Sequence, residues 1–337
     1  MIRQLLLAAA LAVPATAMAQ SATKYFGYFG GDYETDPVVA PSHPSLPEMQ
    51  DHINLYSILF WSADTSPAGK AGSQQYVLDE LARAKAAHIH AIVPAHPFVF
   101  QKGGVADNSC WQMDTTAAAS WASLSKAMVD KGYLIPGDPV RSTVVAVYIV
   151  DEPNGDACLS DVNGAANPIF VNGVNAVRQD PNTAALPIAS ILTPDFNQFD
   201  KGMKLLDWVG YDHYGDSDST WQKKMADLKS RTPGKKYIIV PGAMSGCAAV
   251  KVENTARYEQ SINTDPDVVW LAPFAWFSGK GGNANCRGVR DIPDLRATYT
   301  RIGHAIKDQQ CNASTGDKRY CGLTHSTSSA INLLLEL

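Results

Sequence analysis

The sequence predicts a single α/β domain folded as a (β/α)8, or TIM, barrel. β-rich apolar runs alternate with helical patterns eight times along the chain. Several runs, such as VVAVYIV at 144–150, are apolar on both faces, as expected of strands with helices outside and barrel filling inside. A doubly wound open sheet is the alternative, but GYFGG at 27–31 lacks the G-x-G-x-x-G spacing of a nucleotide-binding first turn.

The predicted strands are short runs rich in β-branched and aromatic residues, beginning with KYFGYFG and ending with VVWLAPFAW. In chain order they are 24–30, 53–61, 89–95, 143–150, 186–192, 207–212, 236–241 and 268–276. Eight such strands with intervening right-handed helical connections close most simply into a barrel.

The predicted helices show apolar residues at helical spacing. In the 74–87 segment, Val77, Leu78, Leu81 and Ala84 form one apolar stripe, and charged residues lie on the opposite face. The helices are 74–87, 117–132, 168–179, 198–206, 219–230, 254–263 and 293–309, with a weaker one at about 45–51.

Composition limits the classes of function. The chain has 337 residues and 28 Lys+Arg against 33 Asp+Glu, a net charge of −5. This mild acidity argues against a nucleic-acid partner, which needs clustered basic charge. Aromatic residues spread through the chain exclude a disordered protein. We therefore expect a globular enzyme or binding protein, with no membrane span after residue 19 and a monomeric state.

Residues 1–19 have the features of a cleaved signal peptide. Arg3 gives a positive start, residues 5–13 form a short apolar core, and Ala17-Met18-Ala19 fits an A-x-A cleavage site. The apolar core is too short to span a bilayer, which takes about 20 residues. The sequence thus predicts a secreted or periplasmic protein, with a catalytic barrel over 20–310 and a C-terminal tail over 311–337.

Six cysteines fit an oxidising compartment. Their placement in the loops that follow strands suggests the bridges Cys110–Cys158, Cys247–Cys286 and Cys311–Cys321, although six cysteines allow 15 pairings. No C-x-x-C or Cys/His cluster has zinc spacing, so the sequence predicts no metal and no cofactor.

In a (β/α)8 barrel the reactive groups collect at the carboxyl ends of the strands, which we call the barrel mouth. Here the strand exits carry carboxylates, histidines and aromatic rings, a mixture suited to sugar hydroxyls and ring faces. The candidate substrate-binding residues are Asp32, Trp61, His96, Asp151, Asn154, Tyr211, His213, Tyr214 and Trp276.

The exit of the fourth strand is the most specific signal. Period-two alternation places Glu152 on the face of Tyr148, and Pro153 ends the strand there. Asp151-Glu152-Pro153 resembles the Asn-Glu-Pro motif of a large clan of (β/α)8 glycoside hydrolases. The sixth strand, which runs into a polar residue and a tyrosine, and Trp276 after the eighth strand are also similar to that clan. The resemblance implies a carbohydrate substrate and Glu152 as general acid.

The exit of the seventh strand departs from the clan. The clan's nucleophile is a Glu at this position, but here the chain reads YIIVPGA, with Pro241 about where the Glu is expected. Asp212 after the sixth strand is the leading replacement, as nucleophile or base. Carboxyl groups about 5–5.5 Å apart would indicate retention of the anomeric configuration, and about 6.5–9.5 Å inversion.

Two alternatives remain open from the sequence. In a substrate-assisted N-acetylhexosaminidase, Asp151 would orient an N-acetyl group that attacks in place of an enzyme nucleophile, while Glu152 protonates the leaving oxygen. Strict alternation points Asp151 away from the mouth, so this mechanism needs a bulge at the strand end. The other alternative is a carbohydrate-binding barrel without catalytic activity, which the missing seventh-strand Glu favours.

Overall fold

The structure is a computed structural model that describes residues 23–31, 45–58, 65–101, 112–154, 159–160, 164–279, 283–313, 318–319 and 321. Predictions on the leader 1–19, most of the tail, Asp32, Trp61, Cys110 and Cys158 lie outside the described residues.

Eight parallel strands form a nearly closed barrel, which confirms the predicted fold class. Between the first and second strands, which close the barrel, the backbone N–H of Asn54 donates to the carbonyl of Phe26 at 3.0 Å. The Asn54 side chain accepts from the Phe26 N–H at 2.7 Å. The strands are β1 (Tyr25–Phe26), β2 (Leu55–Ser57), β3 (His90–Pro94), β4 (Val144–Tyr148), β5 (Ile188–Leu192), β6 (Trp208–Tyr211), β7 (Lys236–Ile239) and β8 (Val268–Leu271).

Each predicted helix overlaps a helix of the structure. The helices are α1 (Leu46–Met49), α2 (Pro67–Ala86), α3 (His96–Val99), α4 (Ala117–Asp130), α5 (Pro168–Arg178), α6 (Asp200–Met203), α7 (Asp218–Arg231), α8 (Thr255–Thr264) and α9 (Pro293–Asn312). Helix α3 was not predicted, and α2 begins seven residues earlier than predicted. A short antiparallel ribbon, Phe100–Gln101 with Gln112–Met113, precedes α4. Within the described part of the chain, no helix is both long and apolar enough to cross a membrane.

Apolar side chains fill two layers, as barrel geometry requires. The inner layer lies inside the barrel and the outer layer lies between strands and helices. Inner residues include Tyr25, Phe29, Leu55, Ile92, Ala146, Tyr148, Ile191, Trp208, Ile238, Trp270 and Phe274, all buried. Because strand residues alternate between these layers, the layer occupied by a residue near a strand end tells whether it faces the mouth.

Two of the three predicted disulfides are present. Cys247–Cys286 joins the segments that follow β7 and β8, with the two Cα atoms 4.6 Å apart. Cys311–Cys321 ties the end of α9 to the residues after it. The pairing of Cys110 with Cys158 lies outside the described residues.

Candidate active site at the barrel mouth

The chain leaves β4 through a β-bulge. The backbone N–H of Ile149 donates to the Ala189 carbonyl of β5 at 2.9 Å. A regular ladder would next join residue 151 to Ile191, but the bond is made by the N–H of Glu152, at 2.9 Å. One extra residue is therefore present on the β4 side, and Glu152 takes a positive φ of 43°, which is rare outside glycine.

The bulge turns Asp151 into the barrel. The buried hydroxyl of Tyr148 donates to Asp151 Oδ1 at 2.6 Å and accepts from the Ile191 N–H at 3.2 Å. The Val150 carbonyl accepts from Ser190 Oγ at 2.7 Å. The sequence-based expectation that Asp151 faces the helices with Ile149 is thus wrong, because the alternation breaks at the bulge.

Asp212 enters the mouth from β6. Its Oδ2 accepts a hydrogen bond from the hydroxyl of Tyr214 at 2.7 Å. Its Oδ1 is buried and has no hydrogen-bond partner among the described residues. Buried carboxylate oxygens are normally paired, so this oxygen stands out among the described residues as one whose partner is missing.

The acidic groups lie close to one another. Burial raises the pKa of Tyr214 well above its usual value, and the charges of Asp212, Asp151 and Glu152 raise it further. Burial, together with Asp151 and Asp212, likewise raises the pKa of Tyr148. Both tyrosines therefore keep their protons at neutral pH and act as donors to carboxylates. Glu152 itself is exposed to solvent at the mouth.

Four rings connect the two tyrosine–carboxylate pairs, and we call them the aromatic arc. The arc runs from Tyr148 to Phe29 (centroids 5.5 Å apart), then to Phe274 (6.0 Å) and to Tyr214 (5.9 Å). Each end of the arc donates a hydroxyl proton to a carboxylate. The arc thus holds the acidic groups of β4 and β6 on one rigid apolar support.

Two predicted site residues on the β6 segment lie away from the mouth. Tyr211 is buried in the outer layer, and its hydroxyl donates to the Trp221 carbonyl of α7 at 3.3 Å. His213 Nδ1 lies 2.9 Å from Asp216 and 3.0 Å from Lys224 Nζ, in an exposed charged cluster. Period-two alternation predicts this arrangement: if the Asp212 side chain points into the barrel, the side chains of Tyr211 and His213 point outward.

Trp276 does not offer a ring to a substrate. It is fully buried in the outer layer, its indole N–H donates to Glu48 at 3.0 Å, and the Arg296 guanidinium lies 5.3 Å from its ring centre. The prediction of sugar stacking by Trp276 is therefore wrong: the ring packs between the barrel and helices α1 and α9.

Asn154 has a structural role in place of the predicted contact with substrate. Its Nδ2 donates to the carbonyls of Thr193 (2.9 Å) and Asp195 (2.7 Å), and its Oδ1 accepts from the Thr193 N–H at 2.8 Å. The side chain thereby ties the segment after β4 to the segment after β5. These bonds fix the backbone at Asn154, two residues after Glu152.

The remaining predicted residues divide by what the structure describes. His96 is half-buried at the start of α3, directly after β3, and so lies at the mouth end of the barrel. The β7 exit, residues 240–244, holds no carboxylate; Val240 and Met244 fill the inner layer there. Within the described residues, no group of three His, Cys, Asp or Glu is placed to hold a metal ion.

A further carboxylate near the mouth, that of Glu253, has no motif in the sequence that predicts its place. It lies in the segment between β7 and α8, and its side chain accepts hydrogen bonds from both flanking loops. The available signal was its position four residues before Arg257, a spacing that pairs side chains on one helical turn.

Comparison with solved structures confirms the architecture. A β-galactosidase from Bacillus circulans sp. alkalophilus matches 88% of this chain at 12% identity with a TM-score of 0.56, and this chain spans 57% of that protein. An endo-β-1,4-glucanase from Xanthomonas axonopodis pv. citri matches 83% of this chain at 14% identity, over 99% of its own length, with a TM-score of 0.51. Neither a protein-family profile nor a curated sequence matches the chain. The likeness shows that the chain has the (β/α)8 barrel fold.

Proposed function

We propose that this protein is an exported glycoside hydrolase that cleaves a polysaccharide or oligosaccharide. The observation that carries the proposal is the pair of carboxylates, Asp151 and Asp212, each fixed by a tyrosine hydroxyl at one end of the aromatic arc, with Glu152 exposed beside them. Glycoside hydrolysis needs two carboxyl groups, one as general acid and the other as nucleophile or base.

In the proposed reaction, Glu152 protonates the glycosidic oxygen as the bond to the anomeric carbon breaks. Either Asp212 attacks the anomeric carbon and forms a glycosyl ester, which water then hydrolyses with Glu152 as base, or Asp212 removes a proton from the water that attacks this carbon. The Tyr214 hydroxyl donates to Asp212 Oδ2 and so orients the Asp212 carboxylate for this step. Asp32, Trp61, His96 and the half-buried ring of Tyr214 remain our candidates for sugar contacts.

A second candidate reaction is favoured by the bulge. The bulge turns Asp151 into the barrel, which is the redirection of this residue that a substrate-assisted N-acetylhexosaminidase would need. Asp151 would then orient the N-acetyl group whose oxygen attacks the anomeric carbon. Activity on N-acetylhexosaminides and none on the corresponding plain glycosides would select this reaction.

The experiment that tests the proposed function measures reducing-end release and binding over a panel of glycans. The panel includes β-1,4-glucan, β-1,4-galactan and chitin oligosaccharides, incubated with the mature chain. Release of reducing ends from at least one glycan supports the hydrolase. Tight binding without release on any glycan would contradict it and select the carbohydrate-binding barrel.

The proposed cellular setting follows from two features. The leader at 1–19 predicts export, and the bridges Cys247–Cys286 and Cys311–Cys321 suit an oxidising compartment. We propose a secreted or periplasmic monomer whose barrel covers 20–310, with 311–337 as a tail.

A further inference from the structure

The carboxylate of Glu253 is buried and fully engaged inside the protein. Its side chain is 3% exposed and accepts four hydrogen bonds. Oε2 accepts from the Gly242 N–H at 2.7 Å and the Tyr258 hydroxyl at 2.9 Å. Oε1 accepts from Arg257 Nη2 at 2.6 Å and the Gly215 N–H at 3.1 Å. No acceptor site remains for a substrate, so any effect on catalysis is indirect.

Through these bonds Glu253 joins the exits of two strands. Gly215 directly follows Tyr214 after β6, and Gly242 lies in the exit of β7. The Glu253 N–H also donates to the Gly242 carbonyl at 3.0 Å, so backbone and side chain grip the same glycine. Burying a carboxylate is costly unless it is paired, and Arg257 supplies the opposite charge here.

The bonds from Gly215 and Gly242 to the Glu253 carboxylate, which we call the Glu253 clamp, hold the ring of Tyr214 in place. A Cβ at position 242 would lie 2.9 Å from Tyr214 Cδ1, so the bare glycine is what allows the ring to approach the β7 exit. On the other side the ring stacks on Phe274, with 14° between the planes, and the Phe274 N–H is bonded to the Pro241 carbonyl at 3.0 Å. Tyr214 is therefore held between Gly242, which bonds to Glu253 directly, and Phe274, which bonds to the residue before Gly242.

We infer that Glu253 is a positioning residue for the reaction: it holds Tyr214 so that the tyrosine hydroxyl stays on Asp212 Oδ2 and fixes the orientation of that carboxylate. This inference rests on the proposed function. A displacement of about 1 Å in a reacting group is enough to cost about 100-fold in rate.

The test uses Glu253→Gln in the full chain. The amide keeps the size of the side chain, but its NH2 group cannot accept from a backbone N–H, so one of the two loops loses its bond. We expect kcat to fall about 10- to 100-fold on the glycan found with the panel, while KM changes little. The matched control is Glu259→Gln on the same helix α8, whose ion pair with Arg301 lies at the surface. It should keep the wild-type kcat.

A double-variant cycle with Tyr214→Phe tests whether the effect passes through the tyrosine. If it does, the double variant is no slower than the slower single variant, because both remove the same arrangement. Losses in kcat that multiply in the double variant would overturn the inference, as would a wild-type kcat in Glu253→Gln.

A readout without turnover separates this inference from the proposed function. In protein labelled with 3-fluorotyrosine, the ¹⁹F resonance of Tyr214 is assigned by its loss in Tyr214→Phe. It should move in Glu253→Gln and stay in place in Glu259→Gln, even if no glycan is cleaved. If Glu253→Gln does not fold, Tyr258→Phe removes one of the four bonds and should move the same resonance. An unmoved resonance contradicts the Glu253 clamp.

Discussion

The hydroxyl of Tyr148 shows how one atom orders the candidate site. It accepts the Ile191 N–H, which the bulge deprives of its ladder partner, and so its own proton is directed at Asp151. Burial and the neighbouring carboxylates raise the pKa of Tyr148, which keeps that proton in place at neutral pH. The same group thus satisfies the backbone and orients a carboxylate.

Replacing Tyr148 by phenylalanine should therefore affect stability and activity together. The buried Ile191 N–H would lose its acceptor, which costs about 1–3 kcal/mol in the free energy of unfolding. Asp151 would lose its fixed orientation, and kcat on the glycan should fall. Urea unfolding and steady-state kinetics measure the two effects. Tyr133→Phe is the control and should change neither; this tyrosine follows the end of α4, and Lys85 Nζ lies 5.4 Å from its ring centre. Wild-type stability in Tyr148→Phe would contradict this role.

At the level of single residues, the sequence predicts residue types at the mouth better than their orientations. Asp212 directly follows β6, as the strand assignment predicts. Glu152 lies four residues after the end of β4, beyond the bulge, and its role stays a prediction. Tyr211 and Trp276 do not face the mouth, because an aromatic residue near a strand end serves equally well in the outer layer. Asn154 was assigned to substrate, yet its amide is used by backbone carbonyls that only the folded loops bring near.

Among the elements, the exit of β4 departs most from a regular pattern. Its bulge depends on hydrogen bonds from β5, residues about 40 positions away, and no local signal at 148–152 specifies it. The start of α2, by contrast, is determined by residues next to it in the sequence. The helix begins at Pro67, seven residues before the predicted start at residue 74, because Ser66 caps it by accepting from the Gly69 N–H at 3.1 Å. Ser66 followed by Pro67 is a sequence signal for a helix start, but Gly69 and Gly72 weaken the helical pattern in the first turns.

The segments after β7 and β8 are fastened to each other by Cys247–Cys286 and by paired bonds between the backbones of Ser245 and Arg287, at 2.9 and 2.8 Å. Removing this bridge by Cys247→Ser with Cys286→Ser should lower the free energy of unfolding by about 2–4 kcal/mol. Urea unfolding under non-reducing conditions measures the loss.

The bridge Cys311–Cys321 provides the comparison, since it spans 10 residues against 39. Chain entropy in the unfolded state predicts a smaller loss for the shorter loop, by about 1 kcal/mol. A larger loss on removing Cys311–Cys321 would show that the stability of the barrel depends more on this C-terminal bridge than on the bridge Cys247–Cys286 at the mouth.

For the whole molecule, several carboxylates report how the fold responds to acid. Burial alone would raise the pKa of Asp114, but hydrogen bonds from Lys70 and Thr116 lower it below its usual value. The hydrogen bond from Arg301 lowers the pKa of Glu259, and Lys229 lowers that of Asp265 against the opposing effect of burial.

These directions predict the sign of the pH dependence of stability. A carboxylate whose pKa is lower in the folded state stabilises the protein above its unfolded pKa of about 4, and the stabilisation is lost as pH falls through the folded value. The free energy of unfolding should stay level from pH 7 to about 5 and fall below about 4. Asp114→Asn should be less stable at pH 7 and show a shallower fall. Urea midpoints at pH 7, 5, 4 and 3 check this, and a level profile down to pH 3 would contradict it.

The barrel as a whole could be predicted because every one of its strands is a local apolar run and every connection carries a helical stripe. The candidate site could be predicted only as a place, the mouth, and as a set of acids. Its arrangement depends on the aromatic arc and on the bulge, which join residues from β1, β4, β6 and β8. Such contacts between distant segments leave no pattern in the chain.

The most direct measurement of the central claim compares two substrates in Glu152→Gln. One is the glycan cleaved by the wild type; the other is the 2,4-dinitrophenyl glycoside of the same sugar, whose leaving group departs without a proton. If Glu152 protonates the glycosidic oxygen, kcat/KM should fall about 10²–10⁴-fold on the glycan and far less on the aryl glycoside. Equal losses on both substrates, or full activity on the glycan, would contradict the assignment of Glu152 as the acid.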